Sequence, residues 1–181
     1  MSTAPTRYTG TAKVLHWLIA LMILTAFGVG FYMTGLKFSP EKLKLYNWHK
    51  WAGVTIFMLV VLRVLWRLTH KPPPLPDTMP TIQKFAAHFG HGLLYFFMIA
   101  IPLSGWLMSS AKGFQTVWFG VLPLPDLLEK SEDLGKTLEL VHRWLNYTMI
   151  ATVAGHAAAA LKHHLIDRDD ILRRMLPGKN A

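Results

Sequence analysis

Cysteine is absent from the 181-residue chain. Without thiolates it cannot ligate an iron–sulfur cluster, build a Cys-type structural zinc site or attach a c-type haem through C-x-x-C-H. Any prosthetic group must therefore be held by other donors and by packing. Charge is scarce as well. Asp, Glu, Lys and Arg make up 16% of the residues against 52% hydrophobic, with a mean hydropathy of +0.29, a balance that excludes an ordinary soluble domain. Acidic residues are scarcest, 10 against 19 Lys and Arg, and none falls inside the long apolar blocks. A histidine-lined pathway for metal cations would need such groups to offset the ion's charge, so their lack argues against one. No nucleic-acid-binding motif accompanies the net charge of +9, which instead suits a membrane whose anionic lipids face basic loops.

What is present is gathered into four apolar blocks, about 14–33, 51–68, 89–108 and 141–161. Each is near the roughly 20 residues that a helix needs to span a bilayer. The expectation is an all-α integral membrane four-helix bundle, a single membrane domain over 1–181 with no room for a separate soluble domain. Block one follows Arg7 and Lys13 but is too long for a usual signal core, lacks a small-x-small cleavage site, and is read as a retained helix. Between blocks two and three, KPPPLP predicts a stiff extended linker, with Asp77 or Thr78 capping the next helix and Pro80 in its first turn. Pro102, Ser104 and Gly105 predict a kink within block three. The segment 113–139 mixes Trp118, Phe119 and Leu122 with Glu129, Glu132 and Asp133, and reads as an interfacial turn or short helix at the outer surface. Eleven basic residues, among them Arg7, Lys13, Arg63, Arg67 and Lys179, fall on the side of the termini. Eight, among them Lys37, Lys42, Lys44, Lys50, Lys112 and Arg143, fall opposite. That bias places both termini in the cytoplasm.

Four histidines stand in or at the rims of these blocks: His16, His49, His142 and His156. An imidazole at membrane depth is costly without a partner, which points to function. His142 and His156 lie 14 residues apart on one helix. At 100° and 1.5 Å per residue they return to nearly the same face about 21 Å further along, near opposite surfaces of a bilayer core roughly 30 Å thick. Two b haems stacked across the membrane would use such positions. A flat macrocycle needs small residues one turn from each ligand. His16 has Ala12 and Ala20, His49 has Gly53, and His156 has Thr152 and Ala160, although His142 has Asn146. Cations for haem propionates are at hand in Arg63, Lys50 and Arg143. The partner of His156 stays open on spacing alone, because His88 and His91 begin the third helix at a depth similar to His16. His163 and His164 end the fourth helix, where they either cap a solvated end or contact a quinone headgroup.

In their order, HW in the first helix, HKWAG at the second, AAHFGHGLLYFFMIAIPLSGWLMS in the third, then HRWLNY, GHAAAALKHH and DDILRRMLPG resemble the bacterial cytochrome b561 family, over about Thr11 to Pro177. The resemblance implies a four-helix, di-haem b protein of the bacterial inner membrane that exchanges electrons with ubiquinone, some members oxidising superoxide at the periplasmic face. It implies His16 and His156 as ligands of the cytoplasmic haem, and His49 and His142 of the periplasmic one. The expected partners are lipid, ubiquinone and superoxide, and no nucleic acid. The alternative reading is a haem-bearing anchor that passes electrons between a dehydrogenase or hydrogenase partner subunit and quinone.

Overall fold

The computed structural model describes residues 7–177, so Lys179 lies outside the described residues. Four long helices alternate in direction: α1 (Gly10–Gly35), α2 (Pro40–Thr69), α3 (Thr81–Ala111) and α4 (Glu132–Lys162). Each exceeds its apolar block because polar turns continue the backbone ladder beyond the greasy stretch. α2 begins at Pro40, where Ser39 Oγ accepts the Lys42 N–H (3.2 Å) and proline occupies the first turn. Ser131 Oγ likewise accepts from Leu134 (3.4 Å) to start α4, and Thr9 Oγ1 from Ala12 (3.3 Å) to start α1. The cap expected at Asp77 or Thr78 is not made. Pro80 itself precedes α3 without a side-chain bond, since residues 77–79 form a separate turn.

Three of the helices, α1, α2 and α3, are long and apolar enough to cross a membrane. α4 has the length but is less apolar, because it carries two histidines, Asn146 and several hydroxyls in place of aliphatic side chains. Only 11%, 11% and 17% of the apolar stretches of α1, α2 and α3 are buried inside the bundle. Leu21, Leu24, Phe31 and Phe96 are among the exposed large side chains. Such a surface suits lipid tails, which are as apolar as the side chains themselves, and the fold is a helical membrane bundle.

α1 packs on α2, α2 on α3, and α3 on α4. The tight core is small. Leu15 and Ile19 of α1 meet Ile56 and Val60 of α2, with Tyr95 and Met98 of α3 against them. Beyond α3 the expected turn or short helix is instead an antiparallel hairpin, β1 (Val117–Trp118) with β2 (Leu122–Pro123). Phe119 (φ 50°) and Gly120 (φ 72°) reverse the chain in the left-handed region. Tryptophans make this possible. Trp51 Nε1 donates to the Val117 carbonyl (2.6 Å), Trp118 Nε1 to Thr55 Oγ1 (3.2 Å) and Trp106 Nε1 to the Pro125 carbonyl (3.0 Å), tying the hairpin down on α2 and α3. At the opposite end α4 runs into a π-helical turn, His163–Asp167, and a short α5 (Ile171–Met175). α5 is pinned to α1 by Trp17 Nε1 on the Met175 carbonyl (3.0 Å) and to the proline linker by Arg174 on the Pro74 carbonyl (2.7 Å).

Candidate functional site

One register runs through all four helices. His16 and Gly30 on α1, His49 and Arg63 on α2, His91 and Gly105 on α3, and His142 and His156 on α4 are each 14 residues apart. Because that step nearly restores the helical face, every helix presents one of these residues at each of two levels. The level at the end of the termini gathers His16, Arg63, His91 and His156; the level beneath the hairpin gathers His49, His142, Gly30 and Gly105.

At both levels two histidines face each other with the same spacing. His16 and His156 have ring centroids 6.3 Å apart with planes at 75°, and His49 and His142 have centroids 6.3 Å apart with planes at 83°. Two imidazole–metal bonds of about 2 Å, with about 1 Å from nitrogen to ring centre on each side, span roughly 6 Å. The spacing thus fits one metal between each pair. His91 also reaches His156, at 5.3 Å between centroids, which is short for a metal between opposed ligands. His88 is exposed and joins no such pair among the described residues.

The outer nitrogens of the hairpin-level pair are already engaged. His49 Nδ1–H donates to the Ala26 carbonyl of α1 (3.1 Å). Ser104 Oγ spends its hydrogen on the Ile101 carbonyl (2.8 Å), so at 2.9 Å it accepts from His142 Nδ1–H. Both bonds leave Nε2 as the free lone pair, the tautomer a metal requires. Glycines permit the approach. A Cβ on Gly30 would stand 3.1 Å from His49 Cε1, and one on Gly105 would stand 3.1 Å from His142 Cε1. Reading block three as a kink missed that Ser104 and Gly105 together seat His142. The missed signal was the 14-residue step from His91, which could have been counted in the sequence.

Arg63 acts electrostatically on both His16 and His156, and its Nε donates to Tyr95 Oη (3.2 Å). Arg67 lies 5.8 Å from the centre of the same ring, so both cations of α2 stand against Tyr95 of α3. The other basic candidates are engaged elsewhere. Lys50 Nζ donates to the Phe114 carbonyl (2.8 Å), and Arg143 pairs with Glu139 (2.8 Å), which also takes Lys112. Hydrogen bonding from Lys112, helped by the charges of Lys112 and Arg143, holds the Glu139 carboxyl below the usual range. Lys42 Nζ donates to the Leu36 carbonyl (2.6 Å), and Lys44 lies 4.8 Å from the centre of the Trp48 ring. Of the helix-end histidines, His163 Nδ1 meets Asp169 at 2.7 Å, while His164 Nδ1 is buried without a hydrogen-bond partner.

The family model for prokaryotic cytochrome b561 matches residues 7–178. The chain belongs to that family. As a family member it is 36% identical over 182 residues to "Cytochrome b561 homolog 2" of Escherichia coli (strain K12), covering 99% of this chain and 96% of that one. It is 31% identical over 172 residues to "Probable superoxide oxidase CybB" of Yersinia pestis, covering 92% and 94%. A third relative, "Cytochrome b561 homolog 1" of E. coli, is 27% identical over 175 residues. Membership in the cytochrome b561 family makes this protein a multi-pass membrane electron carrier that uses haem b.

Proposed function

We propose that this cytochrome b561 relative holds two b haems, one between His16 and His156 and one between His49 and His142, and carries electrons from superoxide to ubiquinone. The observation that carries the reading is the pair of 6.3 Å histidine spacings at two levels of one bundle. The name of the Yersinia relative supplies the substrate. A haem held by each histidine pair would supply a one-electron couple, and with both imidazoles engaged its chemistry with oxygen species would be outer-sphere.

The protein's own residues do the rest. Ser104 and the Ala26 carbonyl keep His49 and His142 in the ligating tautomer. Arg63 serves a haem propionate at the level of the termini; Lys50 and Arg143 contribute positive field at the other. The bundle lies in the bacterial inner membrane with both termini cytoplasmic, so the hairpin faces the periplasm. The turn after α1 and the first turns of α2, residues 37–50, carry Lys37, Lys42, Lys44 and Lys50 against Glu41, which attracts an anion. His163 and His164, at the cytoplasmic foot of α4, border the quinone.

Stopped-flow reduction of the haems by superoxide at several ionic strengths tests this. Exposed charges are screened over about 8 Å at physiological salt, so the parent rate is expected to fall as salt rises. A variant with Lys42, Lys44 and Lys50 changed to glutamine is expected to react about tenfold more slowly at low salt and to respond less to it. If superoxide leaves the haems oxidised while a quinol reduces them, the partner-anchor reading replaces this one.

Arg63→Leu provides a separate check. Removing a cation near the haem disfavours the more negative reduced state by about 1 kcal/mol, or roughly 40 mV for one electron. One midpoint in a redox titration is expected to drop by that order. Two unmoved midpoints would mean that Arg63 merely snorkels to the interface.

A further inference from the structure

The end of α4 holds a device that the haem sites do not use. After the π-helical turn His163–Asp167, Arg168 adopts a left-handed conformation (φ 54°), and the chain folds back so that the Asp169 N–H caps the His163 carbonyl (3.1 Å). Asp169 Oδ1 is fixed by the Ile171 N–H (3.1 Å), and Oδ2 accepts from His163 Nδ1–H (2.7 Å). Asp167 stands 3.1 Å from the same nitrogen and is held by Lys162 at 2.6 Å. The imidazole is 16% exposed, Asp169 24% and Asp167 31%, so the carboxylates lie nearer water than the ring they hold.

We infer that Asp169 positions His163 as the group that passes protons from the aqueous phase to the quinone. This rests on the quinone-linked reading above. Two superoxide anions give two electrons and leave as two dioxygen molecules. Converting one quinone to quinol consumes those two electrons and two protons. Superoxide brings no proton, so both come from water. With Nδ1–H committed to Asp169, Nε2 is the nitrogen that can give and regain a proton, seven residues and about 10 Å along α4 from His156. Other groups about it are Lys162 on Asp167, His164, the Asp170–Arg174 pair of α5 (2.8 Å) and Arg7, whose charge acts on Asp170.

The experiment uses the full-length haem-loaded protein, reduced with a stoichiometric amount of dithionite and mixed with a short-chain ubiquinone, with reoxidation followed by absorbance across pH. Asp169→Asn keeps the shape and a hydrogen-bond acceptor but loses the charge. It is expected to retain both haems, slow reoxidation about tenfold and change its dependence on pH, because the imidazole loses the charged partner that holds it. Asp169→Glu is expected to restore much of the rate and the pH profile. A parent rate and pH profile in Asp169→Asn would overturn the relay. So would an equal loss at every pH without rescue by glutamate, which marks a structural role. If the parent itself is not reoxidised by quinone at any pH, the quinone-linked reading fails, and this inference falls with it for that separate reason.

Discussion

Pyridine haemochrome titration of His156→Ala is expected to return one haem per chain where the parent returns two. His156 of α4 faces His16 of α1, and the other histidine of α4, His142, lies at the far level. The His49–His142 pair sits about 21 Å away along the helix. It is held by its own bonds to Ala26 and Ser104, so it keeps its haem. His91 is the nearest other histidine, yet it lies on α3, with its ring 5.3 Å from that of His156, and not on α4 facing His16. A variant that keeps both haems, or a parent that contains one, rejects the ligand scheme.

Gly105→Val is expected to do the reverse, removing the haem beneath the hairpin and leaving the other. The new Cβ alone would crowd His142 Cε1 at 3.1 Å and Nδ1 at 3.4 Å, and the γ-methyls of valine enter the space of the ring. The imidazole must then swing off Ser104, losing the bond that sets its tautomer. Loss of such an outer partner weakens metal binding by about 10- to 100-fold, and displacement of the ligand adds to it. Gly28→Ala is the control: a Cβ there meets nothing within 4 Å, so both haems are expected to stay, with stability up by as much as about 1 kcal/mol. Haem counts and thermal melts of the two variants check this. A Gly105→Val protein with two haems at the parent affinity shows that the close approach carries no function.

Much of the bundle was legible because membrane helices announce themselves by length and composition. The four blocks mark α1 to α4, with errors at the ends, where polar caps such as Ser39 and Ser131 extend helices beyond the lipid-facing stretch. The hairpin was not legible. Its strands are two residues each, and it exists because indole N–H groups of Trp51 and Trp106, distant in sequence, take its carbonyls. The histidines could be nominated one by one from their cost in lipid. Of their seating only the 14-residue step from His91 to Gly105 could be counted, since Ser104 and Gly105 look like ordinary kink residues until His142 is beside them.

By itself, then, the sequence determined that the chain crosses a membrane on helices, that no thiolate ligates anything, and that His142 and His156 share a face at two depths; each follows from composition or from the 3.6-residue turn, which are local properties. The tertiary structure alone decided which imidazole meets which. It also decided that Arg63 and Arg67 both stand against Tyr95, and that Lys50 and Arg143 are drawn into bonds with Phe114 and Glu139. Those facts depend on how far apart four helices stand and how each is rotated about its axis. That is set by packing between residues remote in the chain, such as Leu15 and Ile19 against Ile56 and Val60, and no local pattern encodes it.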